Sequence, residues 1–127
     1  MDEALGKRIG GWVRQNRLRA KKYGCLVDLA TESVLAIYKS YGDKCVYCEG
    51  LAGSPDLAFP IKEKAPCVPA NVVPCCEECR IKKNNRDIIA YCKAGGINKN
   101  AMRSLVVQMI AREGGVHLKV FMRKQIS

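Results

Sequence analysis

Cys45-Val46-Tyr47-Cys48 and Cys76-Glu77-Glu78-Cys79 carry the most definite chemistry in this chain. A Cys-x-x-Cys pair folds into a tight knuckle that aims two thiolates at one point. Two such pairs supply the four sulfurs of a closed, tetrahedral zinc site. Cys45, Cys48, Cys76 and Cys79 are therefore the candidate ligands of a structural Zn2+. Cys75 adjoins Cys76 but completes no Cys-x-x-Cys with Cys79. Cys25, Cys67 and Cys92 stand unpaired in the sequence and read as small buried hydrophobes.

The eight cysteines could instead form a disulfide framework, and compartment decides between the two readings. The segment from Met1 to Gly10 has no apolar h-region and no cleavage site, and no apolar run approaches the length of a membrane span. The expectation is a cytoplasmic protein with no membrane partner, in which thiols stay reduced and paired cysteines bind metal.

A net charge of +10 points to a polyanionic partner. The cations fall in two clusters. Lys7, Arg8, Arg14, Arg17, Arg19, Lys21 and Lys22 lie near the start, and Arg80, Lys82, Lys83 and Arg86 directly follow the second knuckle. A merely solvated surface has no reason to concentrate charge beside the metal site. Arg14, Arg17, Arg19, Lys21, Lys22, Arg80, Lys82, Lys83 and Arg86 are the candidate contacts to nucleic-acid phosphates.

These residues need elements to position them, and the 127-residue chain has the length of one domain with one modest core. Leu5, Ile9, Trp12 and Val13 recur at helical spacing from about Glu3 to Lys22, with Gly10-Gly11 marking a break and Gly24 a stop. Trp12 is expected to anchor this basic arm to the core. A second helix starts near Thr31, with that residue as N-cap, and stops at Gly42. Residues 49–70 hold four of the five prolines and no long period, and read as a loop with short strands near Leu57 to Ile61 and Asn71 to Val73. A basic helix is expected to run from the second knuckle toward Tyr91. Met102, Leu105, Val106, Met109 and Ile110 form a core stripe on a further helix. After Gly114-Gly115, the alternation from Val116 to Met122 reads as a strand.

The fold class is therefore α+β and mainly helical: a basic helical arm (1–24), a zinc core (25–90) and a helix-strand extension (91–127). Knuckle, short strands, knuckle and helix is the order of a treble-clef or ββα-metal module. Within it, Arg17 to Gly24, Asp28 to Glu32, Tyr41 to Cys48 and Asn71 to Arg86 resemble the motifs of bacterial and phage HNH endonucleases with a four-cysteine zinc site. The resemblance covers roughly Arg17 to Arg86.

Carried over residue by residue, the resemblance implies a degenerate active site. The family's Asp-His falls on Asp56-Leu57, so the general base that would deprotonate the attacking water is an aliphatic side chain here. Asn71 matches the middle asparagine, which helps to fix the catalytic loop. Arg80 stands where the family has a histidine or asparagine, and an arginine cannot ligate a divalent cation. Asp56 reads either as a relic metal ligand or, preferably, as a turn residue after Pro55. His117, the only histidine, reads as the exposed side of the C-terminal strand.

The resulting expectation is a zinc-stabilised DNA-binding protein of a bacterial cell or its phage. It derives from an HNH nuclease, lacks catalytic residues, and binds through phosphates. Two other readings stand beside it. One is an active endonuclease using Mg2+ or another divalent cation with His117 or a metal-bound water as base. The other is a phage-type regulator that binds a host nucleic-acid enzyme such as RNA polymerase, motivated by the extension beyond Tyr91.

Overall fold

The basic arm is one unbroken helix. The computed structural model describes residues 3–126, and its first element, α1, spans Glu3–Lys22. Gly10 and Gly11 do not interrupt it. Each costs a helix interior roughly 1 kcal/mol against alanine, and the burial of Ile9, Val13 and Ala20 along one stripe outweighs that. Helix α2 (Thr31–Ser40) packs against α1 through Val34, Ile37 and Tyr38. Its N-cap is Ala30 rather than Thr31, and no side chain caps it.

Glycine ends both helices as expected. After α1, Cys25 N–H donates to Ala20 C=O and Gly24 N–H to Lys21 C=O, with Gly24 at φ +73°. After α2 the same pair of bonds runs from Asp43 to Tyr38 and from Gly42 to Lys39, with Gly42 at φ +59°. Both are Schellman closures, which need a left-handed residue and so favour glycine.

The proline-rich stretch between the knuckles is the centre of the molecule. Strand β1 (Pro55–Leu57) pairs antiparallel with β2 (Val72–Pro74), in the register Pro55 to Pro74, Asp56 to Val73 and Leu57 to Val72. Every residue from Ala65 to Cys75 is buried. Leu57, Ile61, Cys67 and Val72 face the α1–α2 layer, whereas Ala58, Phe59, Val68 and Val73 face the C-terminal helices. Such a segment requires partners for its backbone groups, and it has them. Cys67 N–H donates to Leu26 C=O, Ala70 N–H to Glu113 C=O and Ala58 N–H to Asn71 C=O, while Arg112 Nη1 donates to Val72 C=O at 2.6 Å.

Beyond the second knuckle the basic helix is short. Helix α3 (Glu77–Lys83) stops at two consecutive left-handed residues, Asn84 (φ +48°) and Asn85 (φ +63°), and α4 (Ile88–Lys93) begins afresh, capped by Asp87 Oδ1 on Ala90 N–H at 2.8 Å. Helix α5 (Lys99–Ile110) buries Leu105 and Met109, with Met102, Val106 and Ile110 packed against the same cluster. The apolar stripe of the C-terminal extension is thus core.

The expected strand from Val116 to Met122 is instead part of helix α6 (Gly115–Ile126). Leu118 and Phe121, three apart, are buried together, and Phe121 meets Phe59 edge-on at 5.7 Å between ring centres. A short apolar run fits both periods locally, and packing on Phe59 and Val68 selects the helix. The chain is therefore mainly helical with one two-stranded sheet, and none of the described helices is long and apolar enough to cross a membrane.

Candidate functional site

Cys45, Cys48, Cys76 and Cys79 converge, their Sγ atoms all lying within 4.8 Å of one another. The first pair sits in a knuckle bracketed by an antiparallel bridge between Lys44 and Leu51, with Cys45 N–H on Gly50 C=O at 2.7 Å and Glu49 turning at φ +64°. The second pair occupies the first turn of α3, where Cys76 is the N-cap. Val46 N–H donates to Pro74 C=O at 3.1 Å and Gly53 N–H to Cys75 C=O at 2.9 Å, so the sheet holds the two halves in register.

The geometry fits a metal ion. Cys48 and Cys76 sulfurs are 3.6 Å apart, close to the edge of about 3.8 Å for a tetrahedron with ~2.3 Å metal–sulfur bonds. Backbone N–H groups of Tyr47, Gly50 and Cys79 approach the sulfurs of Cys45, Cys48 and Cys76 at 3.4 Å each. Such contacts favour the thiolate. Cys45 is held down at about 4, first by a hydrogen bond from the Cys75 thiol and then by backbone amides, whereas burial pushes Cys79 up. Cys75 is fully buried, with its thiol also on Cys76 C=O at 3.2 Å, and stays outside the four-sulfur group. Cys67 is buried as expected; Cys25 and Cys92 are half-buried.

Asp56 is neither a turn residue nor an open ligand site. It lies in β1, its Oδ2 3.0 Å from Lys83 Nζ and accepting from Tyr47 O–H at 3.2 Å. Lys83 also donates to Leu57 C=O at 3.2 Å and is only 2% exposed. This corrects the reading of Lys83 as a phosphate contact: its ammonium neutralises a largely buried carboxylate across the sheet–helix joint. Burial raises the Asp56 carboxyl above its ordinary range, with the charge of Lys83 pulling the other way. Asn71 is fully buried and staples the segment around Phe59: Oδ1 accepts from Phe59 N–H at 2.9 Å, and Nδ2 donates to Phe59 C=O at 2.8 Å and Pro66 C=O at 3.0 Å.

A cleft of about 370 Å3 opens beside this joint. Trp12, Asn16 and Arg19 of α1 form one wall, successive residues of a single helical stripe. Arg80, Asn84 and Asn85 form the other, and Leu57 lies in the floor with Asp56. Trp12 packs against the α1–α2 core, as expected of an anchor, and presents its remaining surface here. The remaining predicted contacts, Arg14, Arg17, Lys21, Lys22, Lys82 and Arg86, are exposed like Arg19 and Arg80. Arg17 reaches Leu29 C=O, while Lys82 and Arg80 pair, among the described residues, with Glu78 and Glu77 of their own helix. Exposed pairs of this kind are weak and leave the cations available.

His117 is exposed on α6 and lines a different depression, with Leu26, Glu63 and Phe121, that shares no residue with the cleft. Trp12, Asn16, Asn84 and Asn85 were not among the expected site residues. The i, i+4, i+7 spacing of Trp12, Asn16 and Arg19 is the signal that places three of the lining residues on one face. Comparison of the chain with protein-family models, curated proteins and solved structures finds no match in any of the three.

Proposed function

We propose that the protein is a nucleic-acid-binding module of HNH-like, treble-clef build, in which the four cysteines hold a structural zinc ion and phosphodiester hydrolysis has been lost. The observation that carries the reading is the content of the cleft. It brings Asp56, Leu57 and Arg80 together with Arg19, yet its lining includes no histidine, and its one carboxylate is engaged by Lys83 and Tyr47. Two arginines lining one space, Arg19 with its guanidinium over the Tyr23 ring, suit a phosphodiester, and no side chain there is free to take a proton from water.

Zinc would act at a distance from the ligand, joining the 44–51 knuckle to α3 and so fixing where Arg80 points. Divalent-cation chemistry would need Asp56 released from Lys83. A mobility shift and a cleavage assay on the same plasmid and oligonucleotide DNA, with Mg2+ or Mn2+ present, test the reading. A salt-sensitive shift without nicking is the expected result. Nicking that co-purifies with the protein and disappears on Asp56→Asn would overturn it.

A further inference from the structure

The cleft has more in it than phosphate binding requires. Arg19 and Arg80 would suffice for an anion, but between them the walls add the indole of Trp12 and the apolar floor at Leu57. They also add Asn84 and Asn85. Consecutive non-glycine residues in the left-handed region are uncommon, and backbone of this kind concentrates at binding sites. Asn71 and Asn98 bond their carboxamides to the chain's own backbone, as does Asn16 to Trp12 C=O at 2.8 Å. Among the described residues, Asn84 and Asn85 have no such side-chain bond.

Resting on the nucleic-acid reading above, we propose that the cleft receives one unpaired nucleotide, its base against Trp12 and its phosphate between Arg19 and Arg80. The volume of about 370 Å3 lies in the range of a small-ligand pocket. A stacked, paired base cannot turn its face to an indole, whereas an unpaired one can. Carboxamides offer both a donor and an acceptor to a base edge, which the arginines cannot do. Trp12 is seated against the α1–α2 core, so little side-chain freedom is lost on stacking.

Trp12 is the chain's sole tryptophan, and its emission reports on the cleft directly. The full-length, metal-loaded protein is titrated with a single-stranded oligonucleotide, the same strand carrying abasic sites throughout, its duplex, and a free nucleoside monophosphate. The expected result is saturable quenching by the single strand and a shift without quenching by the abasic strand. The duplex binds about tenfold more weakly, and the monophosphate quenches only at far higher concentration. Trp12→Leu, which keeps part of the apolar packing, and Asn84→Gly/Asn85→Gly, which keeps the positive φ, each lose about tenfold in single-strand affinity at unchanged metal content; the asparagine pair also keeps the melting temperature, whereas Trp12→Leu lowers it through lost core contact.

Equal binding of single strand, abasic strand and duplex, or binding with no change in emission, overturns the nucleotide pocket but leaves the nucleic-acid reading in place. Equal affinity for the monophosphate and the strand overturns the strand in favour of a free nucleotide ligand. Absence of any mobility shift at low salt overturns both.

Discussion

Lys83 shows how one residue's role is set by a partner far away in sequence. Its ammonium reads as one more cation in a basic run, but Asp56 draws it inward to a 3.0 Å contact. Lys83→Met leaves that largely buried carboxylate with no counter-charge and only the Tyr47 hydroxyl as partner, and is expected to cost about 3 kcal/mol in denaturant titrations near neutral pH. The effect depends on pH with a definite sign. Burial raises the folded-state value of Asp56, so the folded chain binds that proton more tightly than the unfolded chain, and stability falls as pH rises through the carboxylate range. A neutral Asp56 does not need the ammonium. The penalty of Lys83→Met therefore shrinks as pH is lowered from neutrality into the carboxylate range, and a penalty independent of pH would contradict the assignment. At the metal centre, Cys79→Ser is expected to abolish stoichiometric metal in elemental analysis, whereas Cys75→Ser retains it, because Cys75 supports Cys45 without joining the four sulfurs.

The elements divide into those that stand on apolar packing and those that a metal at the four cysteines would hold. In residues 44–51 and α3 only Cys45, Cys79 and Lys83 are buried, with Val46 and Tyr47 packed in part against the larger core, while the two larger clusters draw on α1, α2, α4, α5, α6 and the central segment. Metal removal by a chelator is thus expected to release amide protection first in 44–51 and 77–83, with most helical circular dichroism retained. Simultaneous loss of protection in α1 and α5 would show that the metal carries the whole fold. The corner between α5 and α6 makes an independent prediction. Gly114 has φ +84°, and a Cβ there would lie 2.6 Å from Val68 Cβ, so Gly114→Ala is expected to lower stability by about 2 kcal/mol or more in thermal melts. That corner was legible in the sequence as a break. The helical state of α6 was not, because an apolar run this short satisfies helix and strand periods alike until Phe59 and Val68 are in contact with it.

For the whole molecule, the arm and the post-knuckle helix meet across one cleft, so on the proposed reading Arg19 and Arg80 would act on the same ligand. Arg19→Gln and Arg80→Gln are each expected to reduce the slope of log affinity against log salt by about one. A double variant with the wild-type slope would separate the cleft from binding altogether. Residue order is enough to place the four sulfur ligands, the two glycine stops and the apolar stripes of α1 and α5, since each depends on residues within a few positions of one another or on a repeated spacing. It took the packed fold to make the proline-rich stretch the core, to turn Lys83 inward and to set Trp12 and Arg80 on the walls of one cleft. Those outcomes depend on which distant surfaces exclude water together, and hydrophobic burial, being non-directional, leaves no short-range pattern that announces them.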